Sequence, residues 1–154
     1  MSRVELDKLT PKRKVRFEMP EKLKILVVDG SPMLDIFRRY LVNLGCEVVT
    51  AVDTQAAIEQ LQLITVGRSE IKAIFVNDRS DADRSEINTE LISVVRSRWP
   101  DKKIVAITVC PEAFDLERNK KINFVITRDS RTANLAGFEN ALRDLGFLGS
   151  PRLP

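Results

Sequence analysis

The sequence predicts an α/β fold: one domain built on a five-stranded parallel sheet with helices on both faces. Three observations point there. Unbroken aliphatic runs such as Ile25-Leu-Val-Val28 and Ile104-Val-Ala-Ile107 suit strands buried on both faces. Between such runs, apolar residues recur at helical spacing, so strands and helices alternate five times. Polar residues fall where the strands run out, the edge at which open α/β sheets bind ligands.

The first run ends on Asp29, and Gly30, Ser31 and Pro32 follow before an amphipathic stretch begins. Ser31 suits a helix N-cap, and Pro32 suits the first helical position, where its missing N–H costs nothing. Leu34, Phe37, Leu41 and Leu44 then mark one helical face, and Gly45 supplies a left-handed stop. Cys46 to Ala51 is predicted as the second strand. Asp53 or Thr54 caps a helix whose inner face is Ala57, Ile58 and Leu61. A polar connection over 65–70 leads to the third strand, Ile71 to Val76, which ends on Asn77 and Asp78.

The stretch Arg79 to Arg84 alternates in charge and reads as an exposed loop, with Ser85 capping the next helix. That helix presents Ile87, Leu91, Val94, Val95 and Trp99 inward, Trp99 as a core plug, and Pro100 ends it. Lys103 to Val109 is the fourth strand, with Thr108 near its end. Pro111 opens a short helix through Arg118. Ile122 to Thr127 is the fifth strand, and the last helix uses Leu135, Phe138, Ala141, Leu142 and Leu145. The predicted organisation is a basic tail over 1–22, a domain over 23–147 and a short tail over 148–154.

Composition narrows the function. At 44% hydrophobic and 31% charged, the 154 residues are those of an ordinary soluble domain. No apolar run approaches the roughly 20 residues that span a bilayer, and the N-terminus lacks a signal-peptide layout, so a cytoplasmic protein is expected. Histidine is absent, which excludes histidine triads, imidazole zinc sites and a histidine phosphoacceptor in this chain. Cys46 and Cys110 form no metal spacing and no CxxC pair, and nothing in the sequence activates either thiol. The leading 24 residues hold eight Lys/Arg against four Asp/Glu, while the remainder holds 17 and 18. Basic character therefore belongs to the leading segment, chiefly Lys12-Arg13-Lys14 and Arg16. A solvated terminus is the plain expectation there, with contact to nucleic acid ranked last among partners and no membrane expected.

Five βαβ units with right-handed crossovers and no GxGxxG favour the flavodoxin-like strand order 2-1-3-4-5 over a dinucleotide-binding domain. In that order the carboxyl ends of strands 1, 3, 4 and 5 converge. They bring Asp29, Asn77 or Asp78, Thr108 and Arg128 to one cleft.

With these residues in place the sequence resembles the CheY-like receiver domain of two-component response regulators. The resemblance covers about Leu23 to Phe147. It rests on Ile25-Leu-Val-Val-Asp-Gly-Ser-Pro32, on Gly45-Cys-Glu-Val-Val-Thr-Ala51, and on Ile104-Val-Ala-Ile-Thr108, whose last residue falls at the family's hydroxyl position. It implies a chemistry in which an aspartate at the end of strand 3 takes a phosphoryl group, Mg²⁺ neutralises the phosphoryl oxygens, and a strand-5 lysine with the strand-4 hydroxyl holds the product. The departures are specific. The family pairs two acids after strand 1, and here Asp29 is followed by Gly30. Ala73-Ile-Phe-Val76 matches the apolar residues before the family's phosphoacceptor, which aligns Asn77 with it. The lysine place falls on Arg128, or on Thr127 if Phe124 is the family's aromatic switch.

An amide is a far poorer nucleophile than a carboxylate, and a site with one of three anions left attracts Mg²⁺ weakly. Arg128 would oppose a cation further, or pair with Asp29. The expectation is a degenerate pseudo-receiver, not an enzyme and without a cofactor, acting by protein–protein interaction. A histidine kinase or a downstream effector is the implied partner, with homodimerisation left open. Asp78 keeps a second reading alive. If strand 3 ends one residue later, Asp78 becomes the acceptor and Mg²⁺ its cofactor, although a one-residue shift reverses side-chain direction. Arg118, Lys120, Lys121, Arg128 and Arg131 form an expected partner-binding face around helix 4 and strand 5. A third reading gives this face an anionic nucleotide.

Overall fold

The computed structural model describes residues 22–63, 70–77, 79–81, 84–86, 88–108, 112–127 and 135–148. Their elements are β1 Lys24–Val28, α1 Leu34–Asn43, β2 Glu47–Ala51, α2 Thr54–Gln62, β3 Ala73–Asn77, β4 Arg79–Asp81, β5 Arg84–Glu86, α3 Thr89–Arg98, β6 Lys103–Thr108, α4 Glu112–Arg118, β7 Phe124–Thr127 and α5 Leu135–Asp144. Five strands form one all-parallel sheet in the order β2-β1-β3-β6-β7, the order expected.

The aliphatic runs are buried on both sides for the reason that made them legible. Alternate residues of β1 enter two cores: Ile25 and Val27 join Phe37, Leu41, Phe75 and Phe138, and Leu26 and Val28 join Ala57, Leu61, Leu91 and Val95. The first core is aromatic at its centre. The Phe138 ring of α5 meets Phe37 at 5.5 Å, Tyr40 at 5.4 Å and Phe75 at 5.7 Å between centroids, all edge-on. Trp99 is half-buried against the second core, with the Arg98 guanidinium 4.7 Å above its ring.

Three helices end in the same way. Gly45, Lys120 and Gly146 each have positive φ (97°, 62° and 83°). Each donates its N–H three residues back, to Val42, Glu117 and Arg143. The residue after each donates five back, to Leu41, Leu116 and Leu142. This is the Schellman arrangement, in which glycine suits the left-handed position and Lys120 is the exception.

Several boundaries differ from expectation. The charged stretch after β3 is not an open loop: β4 and β5 form a two-stranded antiparallel hairpin. Its register pairs Arg79 with Glu86, Ser80 with Ser85 and Asp81 with Arg84. Ser85 therefore lies in β5, and the cap of α3 is Asn88, whose Oδ1 accepts the Leu91 N–H at 3.1 Å. Buried Ile92 belongs to that helix's inner face as well. The first helix starts at Leu34, two residues after Pro32, because Ser31 is engaged in a turn described below. Asp53, not Thr54, caps α2, accepting the Ala56 N–H at 2.8 Å. Ile71 and Ile122 are buried just ahead of their strands. The expected contributions of Ile87, Val109, Pro111 and Cys110, the connection over 65–69 and both tails beyond 22–148 lie outside the described residues.

The amino end of the sheet is held by two cations. Arg96 donates from Nε to the Lys121 carbonyl at 2.7 Å and from Nη1 to the Pro100 and Lys102 carbonyls at 3.2 and 2.9 Å. Its Nη2 donates to Asn123 Oδ1 at 2.6 Å. Burial alone pulls the Arg96 pKa down from its ordinary value. Lys102, 8% exposed, donates to the Ile71 carbonyl at 2.6 Å and to Glu70 at 3.3 Å.

Candidate functional site

The carboxyl ends of β1, β3 and β6 bring Asp29, Asn77 and Thr108 to one edge, all three buried. Register makes the first two neighbours. Val28 pairs with Val76, so Asp29 and Asn77 follow as the next residues of adjacent strands. Both continue the alternation of Val27 and Phe75, and therefore share the face of the aromatic core. Asn77 in turn pairs with Ile107, one residue before Thr108, and Thr108 pairs with Thr127 at the end of β7. Asp78 and Arg128 lie outside the described residues.

Asp29 is fixed by its own chain. Its N–H donates to the Ala51 carbonyl at 3.0 Å. Its carboxylate accepts twice from Ser31: Oδ1 from the main-chain N–H at 2.8 Å, Oδ2 from the hydroxyl at 2.9 Å. Ser31 Oγ then accepts the Met33 N–H at 3.1 Å. Aspartate two residues before serine closes such a turn readily, and Asp-Gly-Ser was a readable signal for it. The serine hydroxyl thus does what a cap does, ahead of the regular helix.

Gly30, at the place of the family's second acid, is exposed but has one close main-chain neighbour. A Cβ built there would lie 3.0 Å from the Val52 carbonyl oxygen. The β2–α2 connection presses its backbone against the turn, a contact between residues 22 apart that no local pattern announces. Farther along this rim, Asn88 Nδ2 donates to Thr54 Oγ1 at 2.9 Å, both residues buried, tying the starts of α2 and α3 together. Sequence reading missed Thr54 and Asn88 as a pair: it takes Thr54 only as a cap and passes over Asn88 for Ser85.

Whether these residues fit Mg²⁺ follows from the donors. Both Asp29 oxygens are engaged by Ser31, Gly30 brings no ligand, and Asn77 brings an amide in place of a charge. Among the described residues no three His, Cys, Asp or Glu side chains converge on a common point. The described residues do not form a site that holds Mg²⁺.

Of the basic residues named from sequence, Arg118, Lys120 and Lys121 lie away from this edge. Arg118 ends α4, exposed and paired with Asp115, and Lys120 and Lys121 form the turn into β7 at the opposite end of the sheet. Arg131 lies outside the described residues. No helix among the described residues is long and apolar enough to cross a membrane.

No protein-family model matches the chain, and no curated protein matches it in sequence. Solved structures do match in shape. A CheY-like response regulator receiver domain protein from Methanospirillum hungatei superposes with a TM-score of 0.65 at 16% identity, covering 81% of this chain and 94% of that one. The response regulator TrrA from Thermotoga maritima, solved in complex with Mg²⁺-BeF, gives 0.63 at 16%, covering 80% and 98%. The chemotaxis protein CheY4 of Vibrio cholerae gives 0.63 at 20%, covering 79% and 97%. At these identities the likeness is one of fold, and the fold of this chain is that of the CheY-like receiver domain of response regulators.

Proposed function

We propose that the chain is a receiver-like signalling module, spanning residues 23–147, that acts by protein–protein interaction without aspartyl phosphorylation. The observation that carries this reading is the pairing of β1 with β3, which sets the amide of Asn77, not a carboxylate, in line with Asp29. An amide does not form the acyl phosphate that the receiver cycle requires. Ser31 donates to both oxygens of Asp29, so the remaining acid serves the turn. The module needs no cofactor and catalyses no reaction.

Its partner is a protein of a cytoplasmic signalling pathway, a histidine kinase or a downstream effector, which docks along α4, β7 and the connection to α5. Arg118, Lys120, Lys121, Arg128 and Arg131 supply the charge there. Exposed Phe114 on α4 adds an apolar anchor beside Arg118, one helical turn away.

An NMR titration with beryllofluoride and Mg²⁺ tests the proposal. The expected result is that the amide resonances of Asp29, Gly30 and Asn77 stay in place. Saturable shifts centred on Asp29 and Asp78 would instead establish a phosphoaccepting regulator using Asp78.

A further inference from the structure

β2 ends the main sheet, and its outer side meets no other strand among the described residues. The Glu47 N–H donates to the Leu23 carbonyl at 2.8 Å, and the Ala51 carbonyl accepts the Asp29 N–H at 3.0 Å. Both residues thus turn their main chain toward β1, and the alternation of a strand turns that of Val48 and Thr50 outward. Native edges are blunted by charge, proline, a bulge or a cover. From Val48 to Val52 this one has neither charge nor proline, and it pairs with β1 without a bulge. The other edge strand, β7, is shorter, and Lys120, Lys121 and Arg128 bracket it in sequence. The surroundings of β2 are apolar as well. α1 packs on β1 and β2, and its Tyr40 reaches Phe138 of α5. Val42, two residues on, is turned about 200° from Tyr40 and lies on the flank away from α5, at 45% exposure. Val52, just past β2, is 60% exposed. What this edge lacks among the described residues is a cover that brings main-chain groups and one apolar face.

The chain carries such a segment ahead of the fold. Lys14-Val-Arg-Phe-Glu-Met19 alternates polar and apolar residues at every step, the pattern of a half-buried strand, and Pro11 and Pro20 bound it. Length decides which edge it reaches. Met19 to Leu23 is four Cα steps, which extend at most about 14 Å, and the Leu23 carbonyl is already fixed by Glu47. A strand outside β2 lies two strand spacings from β1, about 10 Å, whereas one outside β7 lies four, about 19 Å. Only β2 is in reach. Direction follows from the same span. Leu23 stands at the amino end of the sheet, and a parallel strand would put Met19 about 13 Å farther along β2, out of range. The segment therefore runs antiparallel to β2, and an antiparallel edge strand on an otherwise parallel sheet is a common form.

We propose that residues 14–19 add to the outer edge of β2 as a sixth, antiparallel strand of the main sheet. Residues directly opposite in an antiparallel pair share a face. Those bonded to Val48 and Thr50 therefore lie on the face of Val48, which packs on the aromatic core beneath α1. Val15, Phe17 and Met19 take that face and cover Val42, with their N–H groups toward β2. Lys14, Arg16 and Glu18 take the other face, with their N–H groups toward solvent. This edge is the opposite one from β7, and the proposal does not rest on the docking face there.

Amide hydrogen exchange of the full chain, read residue by residue by NMR, tests this. The Val48 and Thr50 amides should be protected, independently of protein concentration, and backbone NOEs should join residues 15–19 to 48–50. Phe17→Pro removes an N–H that faces β2 and should speed exchange of both amides at least about tenfold. Arg16→Pro removes one that faces solvent, where an edge strand tolerates proline, and should leave them within about twofold of the wild type. The Glu47 and Asp29 amides, bonded to the Leu23 and Ala51 carbonyls, should stay protected in both variants, showing that the sheet is intact. Free exchange of Val48 and Thr50 in the wild type overturns the proposal, as does absence of the NOEs, whatever the variants do. Protection that survives Phe17→Pro, or an equal loss in Arg16→Pro, also overturns it. So does protection that falls on dilution as a dimer dissociates in sedimentation, which assigns the edge to a second copy of the chain.

Discussion

Arg96 and Asn123 share one oxygen with the sheet: Asn123 Oδ1 accepts Arg96 Nη2–H at 2.6 Å and the Ile104 N–H of β6 at 2.8 Å. The guanidinium meets no carboxylate in this clasp. Three main-chain carbonyls and one amide oxygen receive it, and it thereby fastens the end of α3 to the turns before β6 and β7. Arg96→Ala should destabilise the protein by about 2 kcal/mol, since charged-group hydrogen bonds are lost and their acceptors left to water. Arg96→Lys should recover less than half of that, because an ammonium cannot span the four acceptors. Urea denaturation of the three proteins checks both.

Gly30→Asp restores the family's second acid in sequence but not in space. The new Cβ starts 3.0 Å from the Val52 carbonyl oxygen, and that backbone must yield. A loss of no more than about 1 kcal/mol in urea is expected, since the residue is exposed and its one close neighbour need move only slightly. Calorimetric titration of the variant with Mg²⁺ should show no binding gain, because Ser31 still holds both oxygens of Asp29.

Lys120→Gly should stabilise. Relief of the left-handed strain at φ 62°, about 1–2 kcal/mol, outweighs a glycine entropy cost of about 0.4–1 kcal/mol. The same bookkeeping makes Gly45→Ala and Gly146→Ala destabilising, and thermal unfolding of all three should order them so.

Burial pushes the Cys46 thiol up from 9.0 to about 12. The folded state therefore favours the protonated thiol, and its contribution is fully present below pH 9. Stability should fall as pH rises from about 9 toward 12, where only the unfolded chain ionises readily. Alkylation of Cys46 at pH 8 should proceed at the rate of unfolding, and Cys46→Ser should remove the alkaline component of the stability profile.

The sheet was legible because its signals are local. Ile25 to Val28 and Ile104 to Ile107 are too apolar to lie anywhere but inside, and Gly45 and Gly146 mark turns that need positive φ. Strand ends also sufficed to bring Asp29, Asn77 and Thr108 to one edge. What stayed hidden depends on pairing across the chain. The hairpin of β4 and β5 has no apolar alternation to betray it. The contact of Gly30 with Val52 and the bond between Asn88 and Thr54 are both products of packing between distant segments.

The rings around Phe138 have a consequence for biosynthesis. Phe37 and Tyr40 leave the ribosome early and Phe75 midway, but their common partner emerges about 100 residues after Phe37. Until α5 is made, the part of this sheet face that α1 leaves uncovered is apolar surface open to water. That face is a transient target for chaperones and for self-association, and its closure is timed by the arrival of the final helix rather than by the strands beneath it.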